Sequence, residues 1–205
     1  MISIVYSTKK NKPGYIEHLK NTSGIHKIEI VEIVNDGEMS LTQAYNKGLK
    51  ETTNNIVVFC HDDIIFDTKN WGRKLDSIFK KNPEYGIIGI AGTTDLIDGR
   101  FLAVDKTKIK HTFDEEFDGF HFYDVSFCFP NYLDGVKIGL TTKIRLTHLS
   151  IGQTNQQWEE HKVKFETKYK DNLPVRLSNN KTFDEKLEFD IDSIDSNSVV
   201  YVASP

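Results

Sequence analysis

The chain of 205 residues is 38% hydrophobic and 27% charged, with a formal net charge of -4. That length accommodates one ordinary domain with a buried core. The acidic balance argues against nucleic acid as a partner, which calls for a clustered basic surface. No apolar run reaches the roughly 18 residues that span a bilayer.

From Met1 the chain enters strand-like Ile2-Ser3-Ile4-Val5-Tyr6 directly, without the basic and apolar regions of a signal peptide. Residues 28–34 intersperse Ile and Val with Glu29 and Glu32 and read as a half-buried strand. Asp36-Gly37 signals a turn, and Ser40-Leu41-Thr42-Gln43 reads as a capping box opening a helix. Leu41, Ala44, Tyr45 and Leu49 continue that helix at the right spacing. The run Ile56-Val57-Val58-Phe59-Cys60 is a buried strand that stops at His61-Asp62-Asp63, and apolar residues resume with Ile64-Ile65-Phe66. Trp71, Leu75, Ile78 and Phe79 mark one face of a helix ending near Asn82-Pro83, and residues 86–90 read as another strand. Strand and helix in alternation predict crossovers and a mainly parallel sheet.

Further strands are expected at 101–104, 136–140 and 144–149, and a helix over 155–171. Residues 179–198 turn acidic and polar, the composition of a tail or linker, and Val199-Val200-Tyr201-Val202 suits a terminal strand. The expected division is one domain over 1–177 followed by a tail over 178–205. Cys60 and Cys128 sit among large apolar residues, where a free cysteine packs as a small hydrophobe. With no signal peptide and no supported disulfide, a cytoplasmic setting is expected.

His61-Asp62-Asp63 is the most informative segment. A buried strand ending in carboxylates puts anionic oxygens at the edge where open α/β sheets bind ligands. Adjacent carboxylates repel, so such pairs commonly hold a cation against a phosphate. The same pair could also cap a turn or face water.

Four segments occur in a telling order: Ser40-Leu41-Thr42-Gln43-Ala44-Tyr45-Asn46-Lys47-Gly48-Leu49, then His61-Asp62-Asp63, then Phe113-Asp114-Glu115 with Phe120-His121-Phe122-Tyr123-Asp124-Val125, then Thr147-His148-Leu149-Ser150-Ile151-Gly152. This order resembles the family 2 glycosyltransferases with the GT-A fold, a bacterial branch with a leading His in its acidic motif, over residues 2–174. The resemblance implies a Rossmann-like, mainly parallel central sheet flanked by helices, with a smaller mixed-strand acceptor half. It implies transfer of a sugar from a nucleotide-diphosphate sugar, most simply a UDP-sugar, to a hydroxyl of a glycan or lipid-linked acceptor. Without a spanning segment, membrane association would be peripheral. Mn²⁺ or Mg²⁺ would offset charge on the departing diphosphate.

On the same resemblance, Asp63 and His148 match metal ligands and Asp62 orients the nucleotide. Ser7 and Thr8, ending the first strand, and Glu32 on the second lie where the nucleoside is held. Asp124 matches the base that takes the acceptor proton in inverting members. Structural readings stand beside these: His148 as a strand histidine, Asp124 as a helix cap, Asn46 and Gly48 as core and capping residues. Pro130 and the abrupt passage from Gly92-Thr93-Thr94 to Asp98-Gly99-Arg100-Phe101 depart from the family pattern. Pro130 should kink or shorten the helix expected from Asp124. These departures motivate an alternative, a degenerate domain that binds nucleotide or glycan, or serves in assembly, without turnover. A metal-dependent phosphohydrolase or nucleotidyltransferase would use similar carboxylates.

Overall fold

The computed structural model describes residues 1–91, 97–150 and 155–173. The chain opens with β1 (Ile2–Thr8), α1 (Pro13–Ser23), β2 (Glu29–Val34), α2 (Leu41–Glu51) and β3 (Ile56–Cys60). It continues through β4 (Ile64–Phe66), α3 (Trp71–Lys81), β5 (Tyr85–Ala91) and β6 (Ile97–Asp105). The last elements are α4 (Tyr123–Leu133), β7 (Lys137–Thr141), β8 (Leu146–His148) and α5 (Gln156–Lys168). The six-stranded sheet has the order β2-β1-β3-β6-β5-β7, and β4 pairs with β8 in a separate two-stranded sheet. β1, β2 and β3 run parallel, as do β5 and β7, while β6 runs antiparallel to both its neighbours. The protein is therefore an α/β fold on a mainly parallel sheet, as the alternating pattern predicts.

Both faces of this sheet are covered, which explains why β3 reads as an unbroken apolar run. Val57 and Phe59 point into a core shared with α2, α4 and Phe165 of α5. Val58 and Cys60 point into a second core with Leu19 of α1 and Trp71, Leu75, Ile78 and Phe79 of α3. Cys60 and Cys128 are both free and fully buried, and burial pushes the Cys60 thiol up to about 12. Both pack as hydrophobes. Phe66 stacks on Trp71 with ring centroids 4.1 Å apart, which fastens the small β4–β8 sheet to the second core.

The capping box of α2 is complete: the Gln43 amide donates to Ser40 Oγ, and the Ser40 amide donates to Gln43 Oε1. α2 lies so close to β1 that a Cβ at Gly48 would run into the Val5 side chain. The fold adds a helix not foreseen from periodicity. α1 fully buries only Leu19 and Ser23, with Tyr15 and Ile16 half-buried against the second core, so its apolar stripe is short. Its punctuation is nonetheless present, with Pro13 in the first turn and Gly24 at φ 71° closing the end. Pro130 does not shorten α4, which runs on to Leu133. Among the described residues no helix is long and apolar enough to cross a membrane. The shortened link at 92–96, the domain boundary near 177 and the terminal strand at 199–202 lie outside the described residues.

Candidate active site

Parallel order 2-1-3 makes the gap between β1 and β3 a topological switch point, where crossovers leave to opposite sides and a crevice opens at the carboxyl ends. A cleft of about 1110 Å³ occupies this position. Its walls include Ser7 and Thr8 from the end of β1, His61, Asp62 and Asp63 after β3, and Tyr123 and Asp124 from the start of α4. Arg100 and His148 complete the far wall.

Two strand registers bring these distant residues together. β6 pairs antiparallel with β3 so that Phe101 faces Cys60, and the His61 amide donates to the Arg100 carbonyl at 3.3 Å. Arg100 therefore arrives beside the acidic segment. β8 pairs with β4 so that His148 faces Ile64, and the Leu149 amide donates to the Asp63 carbonyl at 3.1 Å. His148 thereby reaches Asp63, with its Nε2 3.1 Å from Asp63 Oδ1. Its side chain is only 7% exposed.

His61, Asp63 and His148 each offer one ligand atom, and these atoms all lie within 4.8 Å of one another. The sequence reading assigned Asp63 and His148 to a metal and omitted His61. The signal for His61 was available: residues 61 and 63 stand two apart at a strand end, the spacing that returns side chains to one face. Two imidazoles and a carboxylate form a donor set that Mn²⁺ and other first-row divalent ions accept. His61 Nε2 lies 2.9 Å from the Tyr123 hydroxyl, the outer-nitrogen partner that orients a ligating imidazole. The residues present fit a divalent cation. Burial raises the Asp63 carboxyl, but the Ser150 hydroxyl and the neighbouring His148 and His61 outweigh it and hold the group below the usual carboxylate range.

The other expected residues occupy different positions. Asp62 is held by Lys12, whose Nζ lies 2.6 Å from Asp62 Oδ2 and donates to the Asp62 carbonyl at 3.1 Å. Glu32 stands beside the cleft and is engaged by the protein itself: its Oε1 accepts from the Tyr6 hydroxyl at 2.7 Å and the Lys12 amide at 2.8 Å. Asp124 sits in the first turn of α4, behind an N-cap at Phe122 that adopts φ 61°. A bulky residue in that left-handed region is strained. Here Phe122 is gripped by Trp158 and Phe165 of α5, with centroids at 5.7 and 5.8 Å.

Phe113-Asp114-Glu115 turns out to be a brace behind the cleft. Phe113 is buried and stacks on Phe127 at 4.4 Å, Asp114 pairs with Lys168 at 2.6 Å, and Glu115 accepts from Asn46 at 2.9 Å. His161, buried on α5, approaches the His121 carbonyl at 3.0 Å and Asp118 at 3.2 Å, tying the 118–122 segment to that helix. Sequence reading missed this tie because a lone histidine on a helix face carries no spacing signal.

Residues 8–98 match the model of a Glycosyltransferase like family. That stretch, just under half of the chain, contains His61-Asp62-Asp63 and ends before Arg100, Asp124 and His148. No curated protein matches the chain. Among solved structures, the mannosyltransferase PcManGT from Pyrobaculum calidifontis, in complex with GDP-Man and Mn²⁺, is similar at TM-score 0.49 and 13% identity. The similarity covers 68% of this chain and 54% of that one, so the chain spans about half the length of that protein. A mutant Drosophila beta-1,4-galactosyltransferase 7, in complex with manganese, UDP-Gal and xylobiose, is similar at TM-score 0.45 and 10% identity, covering 78% of each chain. The strand order and register above carry the fold assignment by themselves.

Proposed function

We propose that the protein is a metal-dependent glycosyltransferase of GT-A type that moves a sugar from a nucleotide-diphosphate donor, a UDP-sugar in the simplest case, to a hydroxyl of a glycan or lipid-linked acceptor. The convergence of His61, Asp63 and His148 at the carboxyl edge, in a cleft shared with Asp124, carries this reading. The family match over residues 8–98 supports it.

In this reading Asp63, His148 and His61 hold Mn²⁺ or Mg²⁺. When bound there, the cation would supply positive charge against the departing diphosphate. Ser7, at the end of β1, and Asp62, held by Lys12, line the nucleoside side of the cleft. Glu32 acts one step back: by accepting from the Lys12 amide it orients the residue that grips Asp62. Asp124 takes the proton of the acceptor hydroxyl as that oxygen attacks the anomeric carbon. A single displacement on the face opposite the leaving group inverts the anomeric configuration.

A second reading, a fold that binds nucleotide without turnover, is favoured by one observation: the family match ends before Asp124 and His148. Two measurements separate the readings. The full chain should bind UDP more tightly with Mn²⁺ than with EDTA, and Asp63→Ala should abolish the difference. Equal binding under both conditions refutes the metal assignment. Transfer or donor hydrolysis across a panel of nucleotide sugars, lost in Asp124→Asn, is the expected result for the enzyme; metal-dependent UDP binding without any turnover identifies the binding module.

A further inference from the structure

The two histidines of the triad differ in what stands behind them. His61 presents Nδ1 toward the ion locus and has the Tyr123 hydroxyl 2.9 Å from Nε2. A hydroxyl can accept the Nε2 proton, leaving the Nδ1 lone pair for a metal. His148 is arranged oppositely. Its outer nitrogen, Nδ1, lies 3.1 Å from Nη1 of Arg100. A guanidinium only donates, so Nδ1 must accept and the proton of a neutral ring must sit on Nε2. The surroundings of Nε2 agree: Asp63 Oδ1 at 3.1 Å, Ser150 Oγ at 3.1 Å and His61 Nδ1 at 3.4 Å can each accept. Nε2 has one proton to give, and of these three neighbours the Asp63 carboxylate is the charged acceptor.

This arrangement conflicts with ligation through Nε2. A neutral imidazole that ligates there carries its proton on Nδ1, where it would face the N–H of Arg100. We propose that Arg100 is a gate on the metal site: it holds His148 in the non-ligating tautomer and must leave Nδ1 before His148 can serve. Arg100 lies on the wall of the same cleft, so the departing guanidinium moves toward space that an anionic diphosphate would occupy. A diphosphate that draws Arg100 away favours the metal, and the metal in turn favours the diphosphate. Arg100 thus makes cation and nucleotide binding interdependent beyond their direct contact. The proposal rests on the metal reading above.

The test uses the full chain at one fixed pH near 8. Imidazole ¹⁵N NMR of the metal-free protein should show His148 protonated on Nε2 and bare on Nδ1; a proton on Nδ1 overturns the gate. Mn²⁺ titrations with and without UDP then compare the natural protein with Arg100→Gln and Arg100→Leu. Glutamine can accept from Nδ1–H, so Arg100→Gln should tighten Mn²⁺ binding without UDP by roughly tenfold, equivalent to about 1.4 kcal/mol. Arg100→Leu should tighten it less, and UDP should enhance Mn²⁺ binding less in both variants than in the natural protein. Equal tightening in the two variants would mean that only charge was removed, and no tightening would mean that Arg100 does not oppose the metal; either outcome overturns the gate. If the natural protein binds no Mn²⁺ even with UDP, the metal reading itself falls. If it binds Mn²⁺ and UDP while the variants behave like it, only the gate falls.

Discussion

Asn46 offers a sharp test of how α2 supports the second half of the domain. It is 7% exposed and bonds three times to one segment. Its Nδ2 donates to the Phe113 carbonyl at 2.8 Å and to Glu115 Oε1 at 2.9 Å, and its Oδ1 accepts from the Phe113 amide at 2.9 Å. Asn46→Asp keeps the shape and the accepting oxygen but replaces the double donor with a second acceptor. The buried Phe113 carbonyl then faces a carboxylate, and the orphaned group alone costs about 1–3 kcal/mol. Exposed Glu115 adds a weaker, solvent-screened repulsion. A total of about 2–4 kcal/mol is expected at pH 8, a large part of a typical 5–15 kcal/mol stability. With a urea m-value of about 2 kcal/mol/M, the unfolding midpoint should fall by about 1–2 M with m unchanged. Protonating the new carboxyl restores one donor, so the loss should shrink at pH 5. A loss below about 1 kcal/mol at pH 8, or one identical at both pH values, refutes the brace.

Three further outcomes follow from the same geometry. Gly48→Ala should lower stability by about 1–2 kcal/mol despite the better helix propensity of alanine, because the new methyl meets Val5; in a Val5→Ala background that loss should vanish, read by a double-mutant cycle in urea. His18 is held below its ordinary value, chiefly by burial and against an opposing Asp67, and its Nε2 accepts from the Phe66 amide at 3.1 Å. The unfolded chain therefore binds this proton at higher pH than the folded one. Stability from His18 is full above about pH 6.5 and is lost as pH falls through the lower folded value; thermal unfolding of His18→Gln should lack that acidic step. His61→Ala should weaken Mn²⁺-dependent UDP binding about as strongly as His148→Ala does, measured by calorimetry, whereas an unaffected His61→Ala would return His61 to a purely structural role.

The α/β class, the two-sided burial of β3 and the capping box of α2 were legible in the sequence because each is written in local periodicity. Alternating or unbroken apolar runs report which faces are covered, and Ser40 with Gln43 is a signal four residues long. α1 escaped because its apolar stripe is short: only Tyr15, Ile16 and Leu19 of its eleven residues pack against the second core. Phe113-Asp114-Glu115 was legible as a motif, yet its role was not: only packing shows it bonded to Asn46 and Lys168 behind the cleft.

The site divides along the same line. The sequence by itself determined that a buried strand ends in His61-Asp62-Asp63, because apolar and charged residues change over within one step of the chain. Tertiary structure decided who meets them. His148 reaches Asp63 through the β4–β8 register, and Arg100 reaches His148 because β6 enters the sheet antiparallel beside β3. Strand register between segments 40 or 80 residues apart is set by the sum of both cores and by the turns between them. No local pattern encodes that sum, so the convergence of His61, Asp63 and His148, with Arg100 beside His148, became visible only in the folded chain.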